Sequence, residues 1–252
     1  MGIGIIGLGR LGGPLARGLA AAGIAEVYGF SRSRDKAEQI ARQAAGLTLL
    51  DSAAEVLRRS DTVFVWMAPG QVNEVLTANA DALSHRPILV NCSPGQDLGA
   101  FTDRWVDTYP NVNSATGQGS TLLSWGPGLA DPDKQRVRSL LEAVGVVYEV
   151  EPTQLDAYCA LTSNGPAFYA FILQAWADTV AERHGLDVDL ARSMVRQTMV
   201  GTVALQEAEG IDAAAVIAQV AHPGGSTEPG LAVLAADFRP MAERMLQAMG
   251  RW

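Results

Sequence analysis

Two glycine-rich stretches of the chain have the residue types and spacing that bind anions, and the first lies at residues 7–12 (GLGRLG). An apolar run leads into its three glycines, and an alanine-rich helical pattern follows directly. In a strand–turn–helix unit, the first glycine allows the tight turn, the second lets the backbone approach a pyrophosphate, and the third lets helix and strand pack closely. We therefore expect this turn to hold a dinucleotide. The residues expected to contact it are Gly7, Leu8, Gly9, Arg10, Leu11 and Gly12.

The second stretch, residues 222–228 (HPGGSTE), precedes a predicted helix start at residues 228–229. Proline is favoured in the first turn of a helix, where backbone N–H groups have no partner inside the helix. A substrate carboxylate can rest on the N–H groups of Gly225 and Ser226, and the hydroxyl of Thr227 lies at the same helix start. From these residues alone, helix capping by Ser226 and Thr227 is the simpler interpretation.

The end of the second predicted strand indicates which dinucleotide binds. An NAD enzyme usually carries Asp or Glu about 20 residues after the glycines, where the carboxylate binds the ribose 2′-hydroxyl. This chain has Ser31, Arg32 and Arg34 there. Hydroxyl and guanidinium groups suit a 2′-phosphate, so the sequence predicts NADPH in preference to NADH. Solvated arginines at a helix start are the alternative, although the helix dipole disfavours a cation at that end.

Short apolar strands alternate with helical patterns up to residue 151. Strands are expected at residues 3–6, 25–30, 48–50, 62–67, 88–91 and 146–150, with loops and short edge strands at 93–99 and 117–128. Runs that are apolar on both faces are typical of a parallel sheet covered by helices. Residues 1–151 are therefore predicted to form an α/β, Rossmann-type dinucleotide-binding domain.

Residues 152–252 show helical periodicity and no convincing strand, which predicts an all-α C-terminal domain. Helices are expected at about 153–162, 166–184, 188–208, 212–220, 228–236 and 238–249. The helix at 166–184 is apolar nearly all the way round through Ala177, so most of its circumference must be buried. One protomer offers little room for that, so we expect a homodimer or a higher homo-oligomer. A central core helix in a monomer is the alternative.

Composition excludes several other classes of function. The chain of 252 residues has a net charge of -8 and scattered basic residues, so no nucleic-acid partner is expected. Cys92 and Cys159 lie far apart and outside any metal-ligand pattern, which predicts a reducing, cytoplasmic setting and no metal site. No apolar run reaches the length of a membrane span, and no targeting segment is expected.

The segments LTSNGPAFYAF at 161–171 and AHPGGSTEPGLAVL at 221–234, together with the opening glycines and SRSR at 31–34, resemble the pyrroline-5-carboxylate reductase family. The resemblance covers essentially the whole chain. It implies reduction of a small cyclic imine carboxylate by NAD(P)H, a helical dimerisation half, and Thr227 as the residue that hydrogen-bonds or protonates the imine nitrogen. The further contacts that it implies are Ala68, Pro69, Ser93 and Asn111 for the cofactor, and Asn164, His222, Gly225, Ser226 and Glu228 for the substrate.

The sequence departs from the family pattern around the predicted pocket. His222 replaces a usual serine, Glu228 a usual apolar residue, Ala68 a usual lysine and Asn164 a usual serine. Two interpretations stay open: an enzyme that reduces 1-pyrroline-5-carboxylate to L-proline, and a paralogue whose imine carries an extra polar or cationic group that Glu228 meets. A non-catalytic dinucleotide-binding regulator is a third hypothesis. A hydroxyacid-type dehydrogenase is a fourth, and it ordinarily needs a catalytic lysine on a long helix.

Overall fold

A computed structural model of the chain describes residues 2–68, 70–92 and 97–250. The chain divides into two compact units, Met1–Pro166 and Ala167–Trp252. The sequence predicts a domain boundary between residues 151 and 152, which falls inside the first of these two units.

The first unit is built on a sheet whose strands are separated by helices along the chain. The strands are β1 (Ile3–Ile6), β2 (Val27–Phe30), β3 (Leu47–Leu49), β4 (Thr62–Val65), β5 (Ile88–Asn91), β6 (Trp105–Tyr109), β7 (Gly119–Trp125) and β8 (Gly145–Glu149). The helices are α1 (Gly12–Ala21), α2 (Arg34–Ala41), α3 (Ala53–Arg59), α4 (Gln71–Ala78), α5 (Asp131–Glu142) and α6 (Leu155–Leu161). Short 3₁₀ helices lie at Ala80–Leu83, Leu98–Ala100, Val112–Thr116 and Pro152–Gln154.

The strand order in the sheet is β3-β2-β1-β4-β5-β6-β7-β8. Neighbouring strands are parallel except β6 and β7, which are antiparallel. At the end of β1, Ile6 is level with Phe30 of β2 and Val65 of β4. The carboxyl ends of these strands therefore meet at one edge, at the point where the order reverses, which is where open α/β sheets bind ligands. The predicted Rossmann-type fold is confirmed.

Apolar side chains on both faces of the sheet form the core of the first unit. Alternate residues of a strand point to opposite faces, so Ile5 packs in one cluster with Leu15 of α1 and Val137 of α5. Ile6 packs in a second cluster with Val72 of α4. Each such fully buried side chain contributes about 1.5–3 kcal/mol of transfer free energy. Burial on both faces explains why the central strands are continuous apolar runs.

Strands β6 and β7 differ from the sequence-based expectation. The sequence does not predict β6, in which Asp107 interrupts the apolar pattern. The expectation of loops and short edge strands at 117–128 was wrong, because β7 lies inside the sheet between β6 and β8. Its flanking glycines mark close backbone contact, since a Cβ on Gly119 would lie 2.7 Å from the Val144 carbonyl oxygen and one on Gly126 would lie 2.6 Å from that of Trp105.

The second unit is helical in its described residues, which confirms the predicted all-α half. Its helices are most of α7 (Gly165–His184), α8 (Val188–Glu209), α9 (Ala213–Val220) and α10 (Thr227–Ala248). Asp187 and Asp212 cap α8 and α9 by accepting backbone N–H bonds at 2.8 and 2.9 Å. The prediction of two helices at 228–236 and 238–249 was wrong. Pro240 removes one backbone donor inside α10 without ending the helix.

The helices of the second unit expose much apolar surface. Of its described residues, 167–250, Ala177 and Ala181 alone are buried. On α7, Phe171 is 74% exposed and Trp176 is 62% exposed. No helix in the described part of the chain is long and apolar enough to cross a membrane. An exposed apolar area of this extent is characteristic of an interaction surface.

Candidate functional site

The glycine turn between β1 and α1 is shaped for the close approach of a ligand. Gly7 has a φ of 101°, a conformation that favours glycine, and a Cβ there would lie 2.4 Å from the Trp66 carbonyl oxygen. A Cβ on Gly12 would lie 2.1 Å from the carbonyl oxygen of Gly7. A Cβ on Gly9 would meet nothing within 4 Å. The turn is therefore packed against protein at Gly7 and Gly12 and open at Gly9, as a pyrophosphate cradle requires.

The turn forms one wall of a cavity of about 730 Å³ in the first unit. This volume is within the range of small-molecule sites, about 300–1,000 Å³. The other walls come from the carboxyl ends of β2, β4 and β5 and from the first turns of α2 and α4. The lining residues are Ile6, Gly7, Leu8, Gly9, Arg10, Leu11, Phe30, Ser31, Arg32, Ser33, Lys36, Trp66, Met67, Ala68, Gln71, Glu74, Val75 and Cys92.

The cavity brings together most of the predicted cofactor residues. Residues 7–11, Ser31, Arg32 and Ala68 all line it. Gly12 does not line it and packs against Gly7 instead. Pro69 and Ser93 lie outside the described residues.

Arg34, which the sequence predicts as a cofactor contact, is not among the residues that line the cavity. Its Nε lies 3.2 Å from Oε1 of Glu38, and its Nη1 lies 3.2 Å from Oδ1 of Asp51. Residues two apart in a helix are separated by about 200° around its axis, so Arg34 and Lys36 of α2 face different directions. Lys36 lines the cavity. The sequence analysis did not predict Lys36 as a cofactor contact. Its position in the first turn of a helix, two residues after Arg34, could have indicated it.

The charge of the cavity lining favours an anion. Arg10 lies in the glycine turn, Arg32 and Lys36 lie at the other end, and Glu74 is the one acidic side chain among the lining residues of the described chain. An open pyrophosphate cradle and a separate hydroxyl-and-cation cluster fit a dinucleotide that carries a 2′-phosphate.

Two titratable groups near the end of β5 have raised pKa values because they are buried. Burial raises the pKa of the Cys92 thiol far above its usual value, so this thiol stays protonated and contributes an apolar wall. Burial also raises the pKa of Asp107, and a hydrogen bond from Asn91 Nδ2 to Asp107 Oδ1, 2.7 Å long, opposes that rise. Neither group is set up as a nucleophile.

The side chain of Asn111, which is predicted to contact the cofactor, is hydrogen-bonded within the first unit. Its Nδ2 donates to the carbonyl oxygen of Thr162 at 3.1 Å. Its Oδ1 accepts from the backbone N–H groups of Asn113 and Ser120 at 3.1 and 3.3 Å. Asn111 is 5% exposed and does not line the cavity. Its side chain ties the 3₁₀ helix Val112–Thr116 to β7 and to the end of α6.

The HPGGST turn lies in the second unit, directly before α10. Thr227 is half-buried, and its hydroxyl has no hydrogen-bond partner among the described residues. Ser226 precedes the helix, but its side chain makes no capping hydrogen bond. The structure therefore does not support helix capping as the role of this serine, and it leaves the Thr227 hydroxyl available to a ligand.

Gly225 is predicted to hold a substrate carboxylate through its backbone N–H. Its N–H already donates to the carbonyl oxygen of His222 at 2.9 Å. The neighbouring Gly224 N–H donates to Oε2 of Glu228 at 3.0 Å.

The His222 side chain is exposed. Asn164, in the first unit, is half-buried and follows α6, where its N–H donates to the Cys159 carbonyl oxygen at 3.0 Å.

No group of three or more His, Cys, Asp or Glu side chains suited to a metal ion occurs among residues 2–68, 70–92 and 97–250. The groups available for chemistry that have been described are those of the dinucleotide cavity and the Thr227 hydroxyl.

Two family descriptions match the chain, one in each half. "Pyrroline-5-carboxylate reductase dimerisation" matches residues 152–251, and "NADP oxidoreductase coenzyme F420-dependent" matches residues 2–95.

Individual relatives match most of the chain. Pyrroline-5-carboxylate reductase 3 of Bos taurus is 30% identical over 239 residues, which is 92% of this chain and 77% of the relative. Pyrroline-5-carboxylate reductase of Glycine max is 29% identical, over 91% of this chain and 86% of the relative. The crystal structure of Plasmodium falciparum pyrroline carboxylate reductase with NADP bound has a TM-score of 0.84 at 23% identity, over 98% of this chain and 95% of that one.

Proposed function

The chain belongs to the pyrroline-5-carboxylate reductase family, and on that premise we propose that it reduces the C=N bond of a cyclic imine with NADPH. 1-Pyrroline-5-carboxylate, which the reaction converts to L-proline, is the first substrate to test. The observation that carries the proposal is the cavity of the first unit. It is open at Gly9 and lined by Arg32 and Lys36 at its other end, a shape and charge that fit NADPH.

Each part of the cofactor has a matching group in the cavity. Backbone N–H groups of the glycine turn, with Arg10 beside them, bind the pyrophosphate. Ser31, Arg32 and Lys36 bind the 2′-phosphate, which distinguishes NADPH from NADH. The relative from Plasmodium falciparum was crystallised with NADP bound, which supports this assignment.

The chemical step needs a polarised imine. When bound, NADPH supplies a hydride to the imine carbon. The hydroxyl of Thr227 donates a hydrogen bond to the imine nitrogen, which increases the electrophilic character of the carbon. Its lack of a partner among the described residues supports this role, because a hydroxyl already bonded within the protein would be less available.

The other hypotheses fit the structure less well. A hydroxyacid-type dehydrogenase needs a lysine on a long helix, but Lys36 lies on α2 and Lys134 lies on α5 with its Nζ 6.0 Å from the Trp125 ring centroid. A non-catalytic regulator gives no role to a Thr227 hydroxyl that lacks a hydrogen-bond partner within the described chain.

The same proposal includes a homo-oligomer, at least a dimer, formed through the helical residues 152–252. Phe171 and Trp176 are largely exposed in the single chain, and the match to a reductase dimerisation description covers this part of the sequence. We treat residues 1–151 as the cofactor half and 152–252 as the dimerisation and substrate half. A cytoplasmic location stays a prediction.

The experiment that tests the function measures NADPH consumption by absorbance with a panel of cyclic imines, 1-pyrroline-5-carboxylate and 1-pyrroline among them. Reduction of at least one imine, with NADPH preferred to NADH, is the expected result. A protein that binds NADPH but reduces no cyclic imine would instead be the dinucleotide-binding regulator.

A further inference from the structure

The turn before α10 contains an anion of its own. The Glu228 carboxylate accepts the N–H of Gly224 through Oε2 at 3.0 Å. The next N–H, that of Gly225, donates to the His222 carbonyl oxygen. The Gly225 N–H, one of the two backbone donors predicted to hold a substrate carboxylate, is therefore already bonded within the turn.

The Glu228 carboxylate has no ion-pair partner in the described part of this single chain, and this side chain is exposed. The first basic residue of α10 is Arg239, eleven residues further along, which corresponds to about 16 Å of helix. The carboxylate follows Thr227 directly in the sequence, so a substrate atom bonded to the Thr227 hydroxyl lies in the field of a negative charge.

This field discriminates between two classes of cyclic imine. In 1-pyrroline-5-carboxylate, the carbon that carries the carboxylate is bonded to the imine nitrogen. Placing that nitrogen on Thr227 therefore brings the substrate carboxylate close to Glu228, and two like charges at short range repel each other. A cyclic imine without a carboxylate avoids this repulsion. Its protonated form, the more electrophilic iminium, is instead stabilised by the nearby negative charge.

We propose that Glu228 is a specificity-determining residue that selects cyclic imines without a carboxylate beside the nitrogen. The proposal rests on the proposed function, since it assumes that Thr227 meets an imine nitrogen. Glu228 supplies from the protein the negative charge that 1-pyrroline-5-carboxylate carries itself. The enzyme therefore reduces 1-pyrroline with a kcat/KM at least equal to that for 1-pyrroline-5-carboxylate.

The test compares kcat/KM for these two imines in the wild type, in Glu228→Gln and in Asp237→Asn. Glutamine retains an oxygen that can accept the Gly224 N–H, so Glu228→Gln removes the charge and preserves the turn. Asp237→Asn removes a charge from an exposed position on the same helix. The ratio of kcat/KM for 1-pyrroline-5-carboxylate to that for 1-pyrroline should rise about tenfold in Glu228→Gln, the scale of one repulsion near a surface. It should stay unchanged in Asp237→Asn.

A second measurement needs no variant. Pyrrolidine, the saturated ring without a carboxylate, should inhibit the wild type at least as strongly as proline does. Reduction of both imines with the same ratio in the wild type and Glu228→Gln overturns the role of Glu228 while leaving imine reduction intact. Stronger inhibition by proline than by pyrrolidine also overturns it. Failure of the wild type to reduce either imine contradicts the proposed function itself and, with it, this inference.

Discussion

Replacing Lys36 by methionine should weaken NADPH binding about fivefold and leave NADH binding unchanged. Methionine keeps much of the length of the side chain and removes its charge. A hydrogen bond to a charged group contributes about 1.5–3 kcal/mol when buried, but Lys36 is exposed, so we take about 1 kcal/mol. That free energy corresponds to roughly a fivefold change in Kd.

Arg32 and Arg34 provide the comparison that tests the geometry. Arg32 lines the cavity, and Arg32→Met should weaken NADPH by about 5- to 30-fold, since a guanidinium can make two bonds to a phosphate. Arg34 already pairs with Glu38 and Asp51 at 3.2 Å each. Arg34→Met should therefore change the NADPH Kd by less than about threefold, within the usual range for an exposed ion pair.

The assay is a fluorescence titration of each variant with NADPH and with NADH, repeated at two salt concentrations. Salt should weaken NADPH binding more in the wild type than in Lys36→Met, because the variant has lost one screened interaction. Equal losses of binding affinity for NADPH and NADH would refute the assignment of the 2′-phosphate to Arg32 and Lys36. A loss in Arg34→Met as large as that in Lys36→Met would refute the distinction between these two cations.

Three further predictions concern stability, the cofactor turn and assembly. Gly9→Ala should change the free energy of unfolding by less than about 0.5 kcal/mol and should weaken NADPH binding. Gly12→Ala should lower the free energy of unfolding by about 2–3 kcal/mol, because its Cβ would lie 2.1 Å from a carbonyl oxygen. Chemical denaturation measures stability and NADPH titration measures binding, and similar denaturation midpoints for the two variants would contradict this prediction. Burial raises the pKa of Asp107 from 3.8, so the folded protein binds this proton more tightly, and the resulting stabilisation is present below pH 3.8 and is lost as pH rises through the folded pKa. Asp107→Asn should therefore raise the thermal midpoint at pH 7 and not below pH 3.8. An equal shift of the midpoint at both pH values would argue against this. Light scattering should report at least a dimer for the wild type and a smaller species for Trp176→Glu, and a wild-type monomer at micromolar concentration would exclude the proposed assembly.

Much of the fold of the first unit follows from local sequence patterns. The strand before the glycine turn, the turn itself and the start of α1 are contiguous, so periodicity and glycine spacing predict them together. Strand β6 is different, because Asp107 is held in the sheet by Asn91 of the neighbouring strand. That bond joins residues far apart in the sequence, and no local pattern indicates it.

Local sequence patterns also fail to predict α10 and β7 correctly. Pro240 indicates a helix end in a local pattern, yet α10 continues through it. The glycines around β7 indicate a loop, although Gly119 and Gly126 provide room for neighbouring backbones. In each case, tertiary contacts decide between two structures that the local residues allow.

Residue types and spacing identify part of the candidate site. The glycine turn and Ser31–Arg32 were identified from their types and their distance from β1, and the structure places them in one cavity. The choice between Arg34 and Lys36 depends on where α2 begins and on Asp51, which follows β3. The bond between Glu228 and Gly224 was likewise not visible in the sequence, because it depends on the conformation of the turn.

The most direct test of the central claim is the kcat of Thr227→Ala compared with the wild type, measured as NADPH oxidation with a saturating cyclic imine. Loss of a hydrogen-bond donor to the reacting group predicts a kcat lower by about 10- to 1,000-fold, with the NADPH Kd unchanged and with activity largely retained in Thr227→Ser. An enzyme whose kcat is the same with alanine at this position would contradict the assignment of Thr227 to the imine nitrogen.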